Sequence, residues 1–376
     1  MSAAGANEPV IQDGAEQLLA VPGHRARALH RMRTALSATR GRLAKSAVKL
    51  LGYAVLAFLL LKLIPGLKQA LASLQHVSWA WVLGAILLET ISELGFVTSW
   101  RTILDPENLL GRDDRGPRMS ARVAWTQLGG STLMPGGSLA SMGVGGWILH
   151  RLGMPTKRIA EREFNLSFLN TAIDALALVG FGLALATGLF SGKRELTLTL
   201  VPAILALLGI VVVRLLALRS SARPRMAEAK HPKLAAALTT VIDAVNDTGR
   251  LLFHRAGLKS VLGALVYLWF DVLVLWTAFF AVHADPVPGF AVVVMAYIIG
   301  ALGGSIPLPA GLGAVGGIVG MLILYGVGHN AAFAAVVIYQ AVGLLVPLVG
   351  GGIAYVLLRR SMAQLQGDEV EGSLYA

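Results

Sequence analysis

Long apolar runs alternate with short polar or basic stretches along the chain after residue 45. Six runs, 46–64, 79–100, 164–190, 196–218, 258–282 and 331–358, approach or exceed the length of about 20 residues that a membrane-crossing helix needs. Two others, about 121–152 and 290–327, are equally apolar but broken by glycine and proline. Residues 219–257 are polar overall, with Leu234, Leu238, Val241, Ile242, Val245 and Leu252 at helical spacing, which predicts a surface helix. The pattern therefore predicts an all-α polytopic membrane protein with six full spans and two re-entrant, broken helical hairpins. A basic tail (1–45) precedes the membrane domain (46–358), which contains the 219–257 linker, and a second tail (359–376) follows it.

Composition rules out the soluble alternative. Of 376 residues, 55% are hydrophobic and 14% charged, against roughly 25% charged in a soluble domain. Mean hydropathy is +0.68, more apolar surface than one or two soluble cores could hide. With no cysteine, a disulfide framework, a thiolate nucleophile and a Cys-based zinc or iron–sulfur centre are excluded. The net charge of +11 comes without an aromatic-interleaved basic face, so nucleic acid is not the expected partner.

The basic residues instead set orientation. With the amino terminus inside and each broken stretch returning to the side it came from, every Lys and Arg lies inside except Lys62, Lys68, Lys193 and Arg194. Full crossing by the broken stretches would move the 151–162 cluster outside. The charge pattern thus favours hairpins with both termini cytoplasmic. No secretory leader pattern is evident near the start.

The two broken stretches resemble each other. Leu128-Gly129-Gly130-Ser131 recurs as Leu302-Gly303-Gly304-Ser305, an offset of 174, and at that offset Pro135 matches Pro309, Gly137 matches Gly311, Gly143 matches Gly317 and Gly146 matches Gly320. Three spans separate the copies, so the hairpins enter from opposite faces as an inverted repeat, an architecture many secondary transporters share. A helix broken inside lipid exposes backbone groups at several kcal/mol each unless protein or cavity water satisfies them. Ser131, Pro135, Gly136, Gly137, Ser305, Pro307, Pro309, Gly311 and Gly313 are accordingly the candidate lining of a substrate groove. Gly313-xxx-Gly317 and Gly316-xxx-Gly320 also read as helix-packing motifs.

Charges within spans cost about 2.5–3.5 kcal/mol each at mid-helix on insertion scales. Glu89 and Glu93 lie one turn apart on the second run; Asp174, preceded one turn earlier by Asn170, and Asp271 sit mid-span. These five are the candidate intramembrane polar or coupling residues. The Glu89/Glu93 pair reads either as a proton site, because adjacent carboxylates in a dry interior repel, or as interior pairing with His150, Arg151 or Arg122. No His-x-x-x-His spacing, nucleotide loop or catalytic constellation is present, so neither enzymatic activity nor a metal or cofactor is expected. The acids Asp105, Glu107, Asp113 and Asp114 lie among arginines in a short loop, read as charge balancing ahead of a glycosyl-transfer site.

The stretch Ile306-Pro307-Leu308-Pro309-Ala310-Gly311-Leu312-Gly313-Ala314-Val315-Gly316 resembles the second signature of the flippase-like family named after the transmembrane region of lysylphosphatidylglycerol synthase. Leu133-Met134-Pro135-Gly136-Gly137, followed by Trp147 to Gly153, resembles its first, and Glu161-Arg162 with Asp174 is similar to a further element. The resemblance implies a plasma-membrane protein that moves, or helps move, a lipid or lipid-linked glycan between leaflets, with membrane lipids as partners. It differs at Gly316, where the family pattern has Glu; any role of that Glu would be lost or fall to Asp271 or the Glu89/Glu93 pair. The alternatives are a scaffold that recruits a separate lipid-modifying enzyme through its basic face, or a membrane glycosyltransferase.

Overall fold

A computed structural model describes residues 77–106, 116–133, 145–151, 153–190, 196–218, 255–305 and 312–374. The expected run at 46–64, the 219–257 linker, the loop acids Glu107, Asp113 and Asp114, and Pro135, Gly136, Gly137, Pro307, Pro309 and Gly311 lie outside the described residues. The described residues are almost entirely helical, with no strand among them. In chain order they form α1 (Trp79–Leu104), α2 (Gly116–Leu133), helical turns at 145–151, α3 (Thr156–Ala186), α4 (Leu196–Leu218) and α5 (Arg255–Ala281). There follow α6 (Phe290–Ala301), a 3-10 turn (Leu302–Ser305), α7 (Leu312–Leu324) and α8 (His329–Leu374).

Helix ends follow local chemistry. Pro155 precedes α3, and Gly188 at φ 77° closes it, with Leu189 N–H bonding Ala184 C=O and Gly188 N–H bonding Leu185 C=O. Gly326 at φ 89° closes α7 by the same paired bonds. Glycine adopts this left-handed turn without a Cβ clash. Two boundaries differ from the sequence reading. The helix expected from 164 starts at Thr156, because nothing between Pro155 and Gly188 breaks it, so Lys157, Arg158 and Arg162 ride on its first turns. The segment expected as a tail from 359 continues α8 to Leu374, where no proline interrupts it.

Among the described residues, α1, α3, Gly257–Ala281 of α5 and His329–Ser361 of α8 are long and apolar enough to cross a bilayer. Large apolar side chains such as Leu83, Leu87, Leu94, Leu176, Leu183, Leu205 and Ile353 face outward. In water such a surface would drive aggregation; in lipid it is the natural exterior.

Helices α1 and α5 form the centre and run antiparallel. Ser78 N–H bonds Ala281 C=O at 2.9 Å, Ser92 Oγ bonds Tyr267 C=O at 2.8 Å and Ser99 Oγ bonds Ser260 C=O at 2.7 Å. Between these bonds Gly95 and Gly263 bring the backbones together; a Cβ on Gly95 would stand 2.6 Å from Gly263 O. Small residues are the usual means of close helix approach in membranes.

The internal repeat extends beyond its glycines. Shifted by 174, α1 falls on α5, α2 on α6 with its 3-10 turn, 145–151 on the end of α7, and α3 on the first part of α8. Each broken stretch thus sits between two long helices.

Candidate functional site

Hydrogen bonds fix where each broken stretch begins and ends. Arg162 Nη1, near the start of α3, donates to Leu104 O at the end of α1 at 2.8 Å. Ser120 Oγ donates to Asp105 Oδ2 at 2.7 Å. The start of α2 and the start of α3 therefore both lie beside the end of α1. Trp100 Nε1 donates to Gln127 Oε1 at 2.8 Å, and Gln127 Nε2 to Glu163 Oε2 at 3.3 Å, tying the hairpin to both neighbours. Gly145 leaves the room: a Cβ there would meet Gln127 Oε1 at 2.0 Å.

The second stretch opens at the other end. Tyr325 Oη donates to Leu198 O at the start of α4, and Trp276 Nε1 to Pro288 O just before α6. With 12 residues, α6 is about 18 Å long, well short of the roughly 30 Å apolar layer. It folds back onto α7 through glycine contacts: a Cβ on Gly317 would stand 2.1 Å from Gly300 O, and one on Gly303 would stand 2.4 Å from Gly313 O. One hairpin thus opens toward the Leu104 end of the bundle and the other toward the Ser78 end. Every Lys and Arg whose side chain is described, from Arg101 to Arg360, lies toward the Leu104 end.

Midway between these ends lies a polar cluster. Glu89 and Glu93 are buried on the face of α1 toward α5 and α8, and each has an Oε2 with no hydrogen-bond partner. On α5, Asp271 Oδ2 accepts from Tyr297 Oη of α6 at 2.5 Å and from Tyr339 Oη of α8 at 3.3 Å. Asp271 lies within electrostatic reach of Glu89, Glu93 and the half-buried Asp174 of α3. Glu89 Oε1 lies 3.7 Å from where a Gly343 Cβ would stand.

The structure therefore gathers Glu89, Glu93, Asp174 and Asp271 around one interior region, with half-buried Asn170 one turn along α3 from Asp174. The alternative pairing of the glutamates with basic residues does not occur. Arg122 bonds Ser361 Oγ at 2.6 Å, His150 Nδ1 lies 3.2 Å from Met154 O, and the Arg151 guanidinium stacks over Trp147 at 5.0 Å. Distance along the bundle explains this, since those groups sit toward the Leu104 end.

Among the candidate groove residues, Ser131 Oγ bonds back to Leu128 O of its own helix α2 at 2.6 Å. The backbone of Ser305 lies in the 3-10 turn, and Gly313 packs against Gly303. Among the described residues, nothing lies within 4 Å of a Cβ added to Gly316 or Gly320, so neither packs against these helices. Asp105 is buried against Ser120. No group of three or more His, Asp or Glu with metal-holding geometry occurs among the described residues.

The sequence reading missed Tyr297, Tyr339, Gln127, Glu163 and Trp100. Their available signal was a polar atom within an apolar run, since a buried Tyr or Trp usually bonds its polar atom. An apolar cleft of about 320 Å³ also runs beside Asp174, lined by Ile173, Leu176, Ala177, Phe181, Leu265 and Trp269 among others. Among its lining residues the Phe181 ring sits 5.4 Å from Trp269 and 5.7 Å from Phe190.

Fold and composition define an all-helical, multi-pass membrane protein with a buried acidic centre and two opposed hairpins. The family model "Lysylphosphatidylglycerol synthase TM region" matches residues 47–351, and the chain belongs to that family. A comparison with curated proteins finds no match. Membership links the chain to membrane proteins concerned with lipid modification or flipping.

Proposed function

We propose that this protein moves, or helps move, a lipid or lipid-linked glycan between the leaflets of the plasma membrane, without catalysing a covalent reaction. The observation that carries this reading is the pair of hairpins opening at opposite ends of one bundle. In lipid the second hairpin is re-entrant, because helices of 12 and 13 residues packed on each other are too short to cross and return to their own side. The first, with its 18-residue α2, is read the same way because α2 and α3 both begin beside the end of α1. Paired, inverted and broken elements allow a central site to face each leaflet in turn. The acidic centre offers polarity to a headgroup, and the neighbouring apolar cleft offers space to acyl chain. The concentration of Lys and Arg at the Leu104 end makes that end cytoplasmic.

A leaflet-resolved assay of fluorescent lipids in proteoliposomes tests this reading. The wild type is expected to accelerate exchange, and an Asp174→Ala/Asp271→Ala variant that remains folded is expected to lose most of the acceleration. Equal rates would remove both carboxylates from the mechanism; no acceleration by the wild type with any lipid class would remove the function. The basic end also suits a scaffold that recruits a lipid-modifying enzyme. That reading predicts that charge reversal at Arg118, Lys157 and Arg158 abolishes function while hairpin substitutions are tolerated.

A further inference from the structure

We infer that Glu89 and Glu93, facing Asp271 across the α1–α5 contact, form an internal site that binds and releases a proton. Two independent features support it. Glu89 and Glu93 are only 5% and 4% exposed, yet each keeps an oxygen without any hydrogen-bond partner. An ionised carboxylate left in that state costs more than a neutral carboxyl, because burial without a partner penalises charge most heavily.

The second feature is a local acceptor. Pro347 stands inside α8 and has no N–H, so the carbonyl of Gly343, four residues earlier, lacks its helical donor. Glu89 reaches this same neighbourhood, 3.7 Å from the position of a Gly343 Cβ. Only the protonated form of Glu89 can donate to an acceptor in this neighbourhood.

The titratable groups facing the site from the packed elements are acids or phenols: Glu89 and Glu93 on α1, Tyr267 and Asp271 on α5, Tyr297 on α6, Tyr339 on α8 and Asp174 on α3. No described Lys or Arg side chain lies at this depth. The cluster therefore gains compensation from a small cation, and a proton needs no coordination cage. Asp271 is differently placed, because two tyrosine hydroxyls already donate to its Oδ2. The glutamates, whose oxygens lack partners, are thus the storage groups, and Asp271 is the hydrogen-bonded acid beside them. Use of the bound proton to drive transport rests on the translocation reading; the binding itself does not.

Infrared difference spectroscopy of the full chain in lipid nanodiscs, cycled reversibly in pH, tests the site without any lipid movement. The wild type is expected to show a protonated-carboxyl C=O band that appears and disappears with pH. Glu89→Gln and Glu93→Gln each reduce the band, and the double variant loses it. Glutamine is isosteric with the neutral acid, so these variants are expected to melt close to the wild type. Should the double variant fail to fold, Asp271→Asn serves instead, and a shift in the pH at which the band appears is expected. A band unchanged in the double variant, a band unshifted in Asp271→Asn, or displacement of the band by sodium at constant pH would each overturn the proposal.

Discussion

In the second hairpin α6 and α7 meet backbone to backbone, Gly300 on Gly317 and Gly303 on Gly313. In the first, the contact runs through side chains: Gln127 fills the space left by Gly145 and is clasped by Trp100 and Glu163. The repeat puts Ala301 where the first copy has Gln127, and Val319 where it has Gly145. Even the shared glycine is used differently. Gly303 packs within its own hairpin, whereas its counterpart Gly129 packs on α8, where an added Cβ would stand 2.9 Å from the Gly351 Cα. One backbone plan is thus closed by two chemistries. Glycine packing tolerates no added atom, whereas a polar clasp tolerates rearrangement as long as each group finds a partner.

The strongest way to break this contrast is Gly317→Val. Its Cβ would collide with a backbone oxygen at 2.1 Å, a contact no rotamer change relieves. Overpacking typically costs about 1–3 kcal/mol, and a backbone obstacle places this change at the top of that range or above it. Thermal melting of the detergent-solubilised protein checks it. Gly320→Ala is the control: nothing lies within 4 Å, and the change is expected to be neutral or stabilising by roughly 0.5–1 kcal/mol. Similar losses from both substitutions would show that the Gly300–Gly317 contact does not hold the hairpin.

The polar clasp should give way less steeply. Gln127→Leu strands the Trp100 indole N–H and a Glu163 carboxylate oxygen, at about 1–3 kcal/mol for each buried group left unpaired. Relaxation of the hairpin and entry of water should recover part of that cost. The expected result is a smaller fall in melting temperature than for Gly317→Val, accompanied by a shift in tryptophan emission as Trp100 loses its partner. An unchanged emission spectrum would place the indole N–H outside the clasp.

The contrast also shows what the sequence made legible. Apolar run length located α1, α4, α5 and the membrane-crossing part of α8, because twenty apolar residues leave lipid as the only suitable solvent. The 174-residue offset revealed two broken stretches on one plan, because glycine and proline at matched places leave a mark in a single chain. The counts of Lys and Arg favoured fold-back, and the Arg162–Leu104 bond brings the start of α3 to the end of α1. What holds each hairpin closed was not legible. Gln127 and Glu163 are 36 residues apart, and nothing local announces that they meet. Gly316 and Gly317 are neighbours with identical side chains, yet one faces open space and the other a backbone oxygen. Likewise Glu89, Glu93, Asp174 and Asp271 stood out as costly charges in apolar runs, but the tyrosines that solvate Asp271 come from two other helices.

The smallest expected effect sharpens the comparison most finely. Arg122 Nη1 donates to Ser361 Oγ at 2.6 Å, fastening the entrance of the first hairpin to α8. The repeat places the buried Ala296 at the equivalent position of the second hairpin, which has no such side-chain tie. A double-mutant cycle of Arg122→Met and Ser361→Ala isolates the bond, with methionine keeping most of the apolar stem of the arginine. The coupling is expected near 0.5–1.5 kcal/mol, the net worth of one intramolecular hydrogen bond, and toward the lower figure because the pair is only part-buried. A coupling of zero would leave the Gln127 clasp and the Gly129–Gly351 contact as the fastenings of the first hairpin. A coupling above that range would instead make its entrance the stiffer part, so that motion between the two halves would begin in the glycine-packed copy.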